Sequence, residues 1–161
     1  APESCFMQRF SKMKNLKYIT ADLESPLAEV KMNVQDIPFE DNTFDVVFCN
    51  HVMEHVDSDL EAMREIHRVL KPGGWAIMQV PMMKPGLKVT FEDASIVSPA
   101  ERFKAFGQED HVRLYGEDYG ERLRLAGFQV KEDDFAAQLD RKVTQRHALP
   151  SREIIYFCEK A

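Results

Sequence analysis

The apolar positions change period along the chain and predict strands alternating with helices. Phe6, Phe10 and Met13 recur at i, i+4 and i+7, which predicts a helix over residues 5–14 with Ser4 as its cap. Residues 16–21 (LKYITA) read as a short strand delivering Asp22 at its end. A second short strand, residues 29–34, carries Asn33 and Val34 at its exit. Residues 44–49 (FDVVFC) form a near-continuous run of strand formers, the pattern of a strand buried on both faces. Ser58-Asp59-Leu60-Glu61 has the spacing of a capping box. It opens a helix whose Ala62, Met63, Ile66, Val69 and Leu70 make one apolar stripe, with Glu61, Arg64, Glu65 and Arg68 outside. Pro72-Gly73-Gly74 stops that helix, and residues 75–80 form the next buried strand.

Strand, helix and strand joined by short turns make a βαβ unit, and hence a parallel sheet. Downstream the pattern weakens. Residues 82–97 are irregular, and residues 99–106 read as a short helix stopped by Gly107. Residues 117–126 are helical and closed by Gly127. Strands follow at 128–131 and 153–158, with weak helicity over 136–147. Trp75, Phe103, Phe106 and Phe128 are most simply core. With no linker visible, residues 1–161 read as one domain, with a substrate-side insertion at about 82–116.

Composition narrows the classes. No run of about 18 apolar residues is present for a membrane helix. The net charge of −6 opposes non-specific nucleic-acid binding, which needs a basic footprint. Cys5, Cys49 and Cys158 are far apart and lack any CxxC spacing, so neither a disulfide framework nor a metal site is expected. Three ordinary thiols fit a cytoplasmic location. Nothing in the sequence sets an oligomeric state.

In open α/β sheets, ligands bind outside the carboxyl ends of the strands. Here those ends carry Asp22, Asn33 and Cys49-Asn50-His51. A carboxylate there can accept two ribose hydroxyls, and an Asn amide with a following backbone N–H can pair with an adenine edge. Taken in isolation, Asp22 reads first as a turn residue. Two histidines, His55 and His111, are candidate bases because imidazole titrates near neutrality; His55 is also readable as a loop-fixing hydrogen-bonding group, and Glu54 as a cap or a solvent-facing acid. The segment Asp110-His111-Val112-Arg113-Leu114-Tyr115-Gly116 gathers acid, imidazole, guanidinium and phenol. It reads either as substrate contacts, with Arg113 for a carboxylate or phosphate, or as a surface loop with an Asp110–Arg113 ion pair.

The run DIPFEDNTFDVVFCNHVMEHV, followed by REIHRVLKPGGWAIMQVP, resembles the class I S-adenosylmethionine-dependent methyltransferases of type 11. The resemblance covers residues 16–81 and implies a Rossmann-like, doubly wound α/β fold. In that fold a mostly parallel sheet has helices on both faces and an antiparallel terminal strand. It implies S-adenosyl-L-methionine as cofactor and methyl transfer to a small or medium-sized acceptor. Asp22 would hold the ribose and Leu23 would pack on the adenine. Asn33, where the family has Asp, and Val34 would pair with the adenine edge. Asn50 and His51 would line the methionine end, and substrate contacts would come from Asp110 and Arg113, with His55, His111 and Tyr115 as catalytic groups.

One departure stands out: the family's first strand and G-x-G-x-G loop have no counterpart before residue 5. Ala1-Pro2-Glu3 reads as the tail of a variant loop, with Glu3 accepting from the methionine amino group. Since the family order 3-2-1-4-5-7-6 makes strand 1 central, the fold is expected to be incomplete at the N-terminus and the chain a fragment of a longer protein. A catalytically silent binding or scaffold domain of the same fold is the alternative. A nicotinamide-dependent dehydrogenase lacks its G-x-G-x-x-G signature here.

Overall fold

The computed structural model describes residues 3–82, 84–150 and 153–161. Ala1 and Pro2, part of the expected variant loop, lie outside the described residues. The elements are α1 (Ser4–Phe10), β1 (Ala21–Asp22), β2 (Val30–Lys31), β3 (Phe44–Phe48), α2 (Asp59–Val69) and β4 (Leu70–Ile77). They continue with β5 (Phe91–Glu92), α3 (Pro99–Phe106), β6 (Arg113–Leu114), α4 (Tyr119–Leu125), β7 (Gln129–Asp133), α5 (Phe135–Gln138), α6 (Arg141–Arg146) and β8 (Ile155–Glu159).

The largest sheet has the order β3-β4-β8-β7. β3 and β4 run parallel, and β8 runs antiparallel to both of its neighbours, β4 and β7. Thus β8 alone is reversed in an otherwise parallel sheet, as the resemblance implies. β1 and β2 form a separate parallel pair, and β5 and β6 a short antiparallel one. Set beside the family order, the break between β1 and β3 falls where the family's first strand stands.

That break explains two corrections. The expected strand over residues 16–21 is only Ala21–Asp22, because a strand forms where it has a ladder partner and, among the described strands, β1 pairs with β2 alone. β3 is not buried on both faces: Val46 is 37% and Phe48 38% exposed. Among the described strands β3 has a neighbour on one edge only.

The two faces of the sheet differ. On one, Val47, Ala76, Cys158 and Val130 align across the four strands by register. That row belongs to the core cluster that holds Met63 and Ile66 of α2 and Leu123 of α4. On the other, Phe48, Trp75 and Phe157 form a row, Phe48 meeting Trp75 edge to face at 5.7 Å and Trp75 stacking on Phe157 at 5.3 Å between ring centroids. α1 covers only the start of this row, through Phe6 at 4.7 Å and Phe10 at 6.0 Å from Phe48. Trp75 is half-buried, and Phe106 and Phe128 are buried as expected. Phe103, expected in the core, is exposed; α3 instead turns Phe106 inwards against Phe91, with ring centroids 5.8 Å apart.

α1 is capped at Glu3, one residue before the expected Ser4, and ends at Phe10, short of residue 14. α2 keeps closely to its pattern. Ser58 Oγ accepts from the Glu61 N–H at 3.3 Å, and Ala62, Met63, Ile66 and Val69 are buried. The helix stops at Val69, before Pro72, because Leu70 is already extended and pairs with Phe44 as the first residue of β4. Gly74 is required by space: a Cβ there would sit 2.9 Å from the Lys71 carbonyl oxygen and 3.0 Å from that of Asp45. Outside the stripe, Arg68 clamps the preceding loop, donating to the carbonyls of Ile37 at 2.9 Å and Phe39 at 2.8 Å and to Asp41 at 2.8 Å.

Candidate active site

The loop leaving β3 carries the polar groups. Its backbone stays in register with the chain beyond β4, since the His51 N–H donates to the Gln79 carbonyl at 2.8 Å. His51 itself is in the left-handed region at φ 55, a conformation uncommon outside glycine.

Asn50 meets α1 here. Its amide Nδ2 donates to Glu3 Oε1 at 2.7 Å, while its Oδ1 is buried without a hydrogen-bond partner among the described residues. Asp22 Oδ1 accepts from the N–H groups of Glu24 at 2.9 Å and Ser25 at 2.7 Å, shaping the turn after β1. Asn33 Oδ1 accepts from the Gln35 N–H at 3.0 Å in the same manner after β2. Leu23 is 63% exposed, and Val34 is partly buried against the core. The expected cofactor-side residues thus occupy the turns after β1, β2 and β3, with Glu3 and Asn50 in direct contact.

A second group lies beyond them. His55 Nδ1 is 3.1 Å from Asp110 Oδ2, and the rings of His55 and His111 meet edge to face at 4.7 Å. Glu54 reaches this group, its Oε1 lying 3.5 Å from His51 Nδ1 and 3.9 Å from His55 Nε2. Glu54 neither caps a described helix nor faces solvent: it is 1% exposed, and Oε2 has no hydrogen-bond partner among the described residues. His111 is 5% exposed, and burial, then the neighbouring His55, pushes its pKa below the ordinary value. Glu54, His55 and His111 each offer a ligand atom, all within 4.8 Å of one another. The buried Cys49 thiol beneath this loop is pushed up to about 12 by desolvation and by the Glu54 carboxylate, which leaves it inert.

Arg113 and Tyr115 are set apart from this group. The Arg113 side chain is 2% exposed and donates to the carbonyls of Met53, Val56 at 2.7 Å and Asp57 at 3.0 Å, and to Glu92 at 2.9 Å. No Asp110–Arg113 ion pair forms among the described residues; Asp110 turns to His55 instead. The Tyr115 hydroxyl donates to the Met53 carbonyl at 3.1 Å and to Asp59 at 2.9 Å, and burial with the Asp59 charge raises its pKa strongly. Asp59 also accepts two hydrogen bonds from Arg122, at 2.8 and 2.7 Å. Burial pushes the Asp59 carboxyl up, but Arg122, Arg113 and Tyr115 outweigh it and hold it below its ordinary value. Asp59, Glu92 and Arg122 escape a reading of local spacing, because their partners lie tens of residues away.

Residues 7–78 match the family described as a methyltransferase domain. An uncharacterized protein of Methanocaldococcus jannaschii is 50% identical over 48 residues, which cover 30% of this chain and 21% of that protein. The demethylmenaquinone methyltransferase of Staphylococcus epidermidis is 41% identical over 61 residues, 38% of this chain and 25% of that enzyme. The chain therefore spans about a quarter of the length of the curated relatives it matches. Among solved structures, a putative methyltransferase of Bacillus halodurans shares the fold at 18% identity and a TM-score of 0.51, over 89% of this chain and 77% of that one. An S-adenosylmethionine-dependent methyltransferase of Mesorhizobium loti does so at 14% identity and a TM-score of 0.52, over 80% and 66%. No described helix is long and apolar enough to cross a membrane. Over residues 7–78 the chain thus matches a methyltransferase-domain family, and its fold is that of S-adenosylmethionine-dependent methyltransferases.

Proposed function

We propose that the chain is part of a cytoplasmic enzyme that methylates a small or medium-sized acceptor with S-adenosylmethionine. The observation that carries this reading is the Glu3–Asn50 contact. It sets a carboxylate beside an amide oxygen that is buried and unpartnered, two acceptors converging where β3 ends. That pair fits the ammonium group of a methionine moiety, whose three donors need acceptors. Asp22, Leu23, Asn33 and Val34 stand on the turns after β1 and β2, where a ribose and an adenine would lie.

Bound there, the cofactor supplies a sulfonium methyl group that is already activated toward nucleophiles. The protein's share is then to align the acceptor, exclude water and take up a proton where the acceptor carries one. His55 is the group we assign to that proton, because Asp110 lies against its Nδ1 and leaves Nε2 on the opposite side of the ring. Asp110 and His111 frame it from the β6 side. Arg113 and Tyr115 are assigned a positioning role, holding the 53–57 turn that presents Glu54 and His55.

Calorimetry with S-adenosylhomocysteine on the full-length gene product tests the reading. Binding at one site per protein, weakened by Asn50→Ala, is expected; no heat and no thermal shift would overturn it. Binding without turnover on any acceptor panel would mark a silent domain instead.

A further inference from the structure

We propose that Glu54, His55 and His111 form a binding site for one divalent transition-metal ion of the zinc class. Their ligand atoms already lie within 4.8 Å of one another. Two of those side chains carry a buried atom left unbonded: Glu54 Oε2 and His111 Nδ1 both lack a partner among the described residues. Leaving a buried polar atom unsatisfied is costly, so native structures rarely keep two on neighbouring side chains of one cluster. One cation bonded to both removes both penalties.

The surroundings hold the imidazoles in the form a metal needs. Asp110 Oδ2 lies 3.1 Å from His55 Nδ1, which leaves Nε2 on the Glu54 side, 3.9 Å from Oε1. The His111 ring is hydrogen-bonded to the backbone of Phe106, leaving Nδ1 open. A ligating histidine characteristically has its second nitrogen held by a carboxylate or a backbone carbonyl, as both are here. The backbone is pinned as well. The Val112 N–H donates to the Glu54 carbonyl at 2.9 Å, and Arg113 ties down Met53, Val56 and Asp57 around the two ligands.

Two imidazoles and one carboxylate suit zinc and leave one coordination position for water or an oxygen of a ligand. Magnesium and calcium, which prefer all-oxygen cages, are poorly served. Glu54 and His111 close the inner side, while His55 and Asp110, with side chains 31% and 65% exposed, form the way in. His51, 60% exposed and 3.5 Å from Glu54, stands at the rim. Ligation by Nε2 and proton uptake by Nε2 are alternative states of His55, so metal binding can be read without any methyl transfer.

The test is titration of the chelator-treated full-length protein with Zn²⁺, and with Co²⁺, whose visible absorption reports its ligands. One equivalent should bind, and excess Mg²⁺ should not displace it. Asp110→Ala should weaken binding about 10–100-fold, as loss of an orienting partner does, and His111→Ala and Glu54→Gln by more. Cys5→Ser should change nothing. If a variant fails to fold, imidazole nitrogen spectra of the unaltered protein decide the matter, Zn²⁺ shifting Nδ1 of His111 and Nε2 of His55. Failure to bind one equivalent, or binding that survives the His111 and Glu54 substitutions, would overturn the site.

Discussion

Glu3 and Asn50, far apart in sequence, are joined by a 2.7 Å hydrogen bond that ties the start of α1 to the end of β3. If this pair receives the methionine end of the cofactor, Glu3→Ala and Asn50→Ala each remove a hydrogen bond to a charged group. The expected loss is about 1.5–3 kcal/mol of S-adenosylhomocysteine binding, roughly 10- to 100-fold in affinity. Isothermal calorimetry reads it, and unchanged affinity in both variants would take the pair out of the site.

Asp22 has a separate signature. Its Oδ1 shapes the turn through Glu24 and Ser25, and Asn can keep that acceptor. Asp22→Asn should therefore leave the melting temperature nearly unchanged while weakening cofactor binding. A fall in melting temperature with unaltered affinity would assign Asp22 to the turn alone.

Arg113 donates to three backbone carbonyls in a buried setting, a pattern lysine cannot reproduce with its single ammonium. Arg113→Lys should destabilise the fold by about 1–3 kcal/mol, the cost of leaving buried acceptors unsatisfied. Urea denaturation measures this. A neutral result would mean that water replaces the guanidinium without loss.

The Asp59 cluster sets an acid limit. The folded-state pKa of Asp59 lies below its ordinary value of 3.8. Its contribution is thus complete above that value and is lost as pH falls through the folded-state pKa. Stability measured across that acid range should decline less steeply in Asp59→Asn, which has no charge to lose, although it is less stable at neutral pH. Parallel profiles would show that Arg122 and Tyr115 do not perturb Asp59.

Gly74 tests the frame. Alanine there meets the carbonyl oxygens of Lys71 and Asp45 at about 3 Å, both backbone atoms that cannot swing away. Gly74→Ala should cost about 1–3 kcal/mol, as overpacking does, whereas an alanine tolerated at no cost would show that the Lys71 and Asp45 backbones shift freely.

α2 and the β3–β4 pair were legible because their information is local: a cap at Ser58, a stripe at helical spacing, a β-branched run. The fate of β3's outer face was not, since burial of Val46 and Phe48 depends on what lies beside the strand. The site divides the same way. Asp22, Asn33 and Asn50 are found by looking for polar residues at the exit of each strand. Arg113 and Tyr115 bear suitable chemistry for a cleft, yet the carbonyls of residues 53–57 claim them, and nothing in their own neighbourhood announces that. Glu54 hides for the converse reason: an acid beside a histidine reads as surface until the fold closes over it.

The reversed strand β8 governs when the sheet can be completed. Among the described strands β7 has no ladder partner but β8, and β8 is also what joins it to β4. Residues 129–133 therefore cannot dock until residues 155–159 have been made and laid against β4. During synthesis the β3–α2–β4 unit can form early from near-neighbour contacts, and the rest waits on a long-range closure. Shortening the chain by its final strand should remove β7 from the protected core along with it.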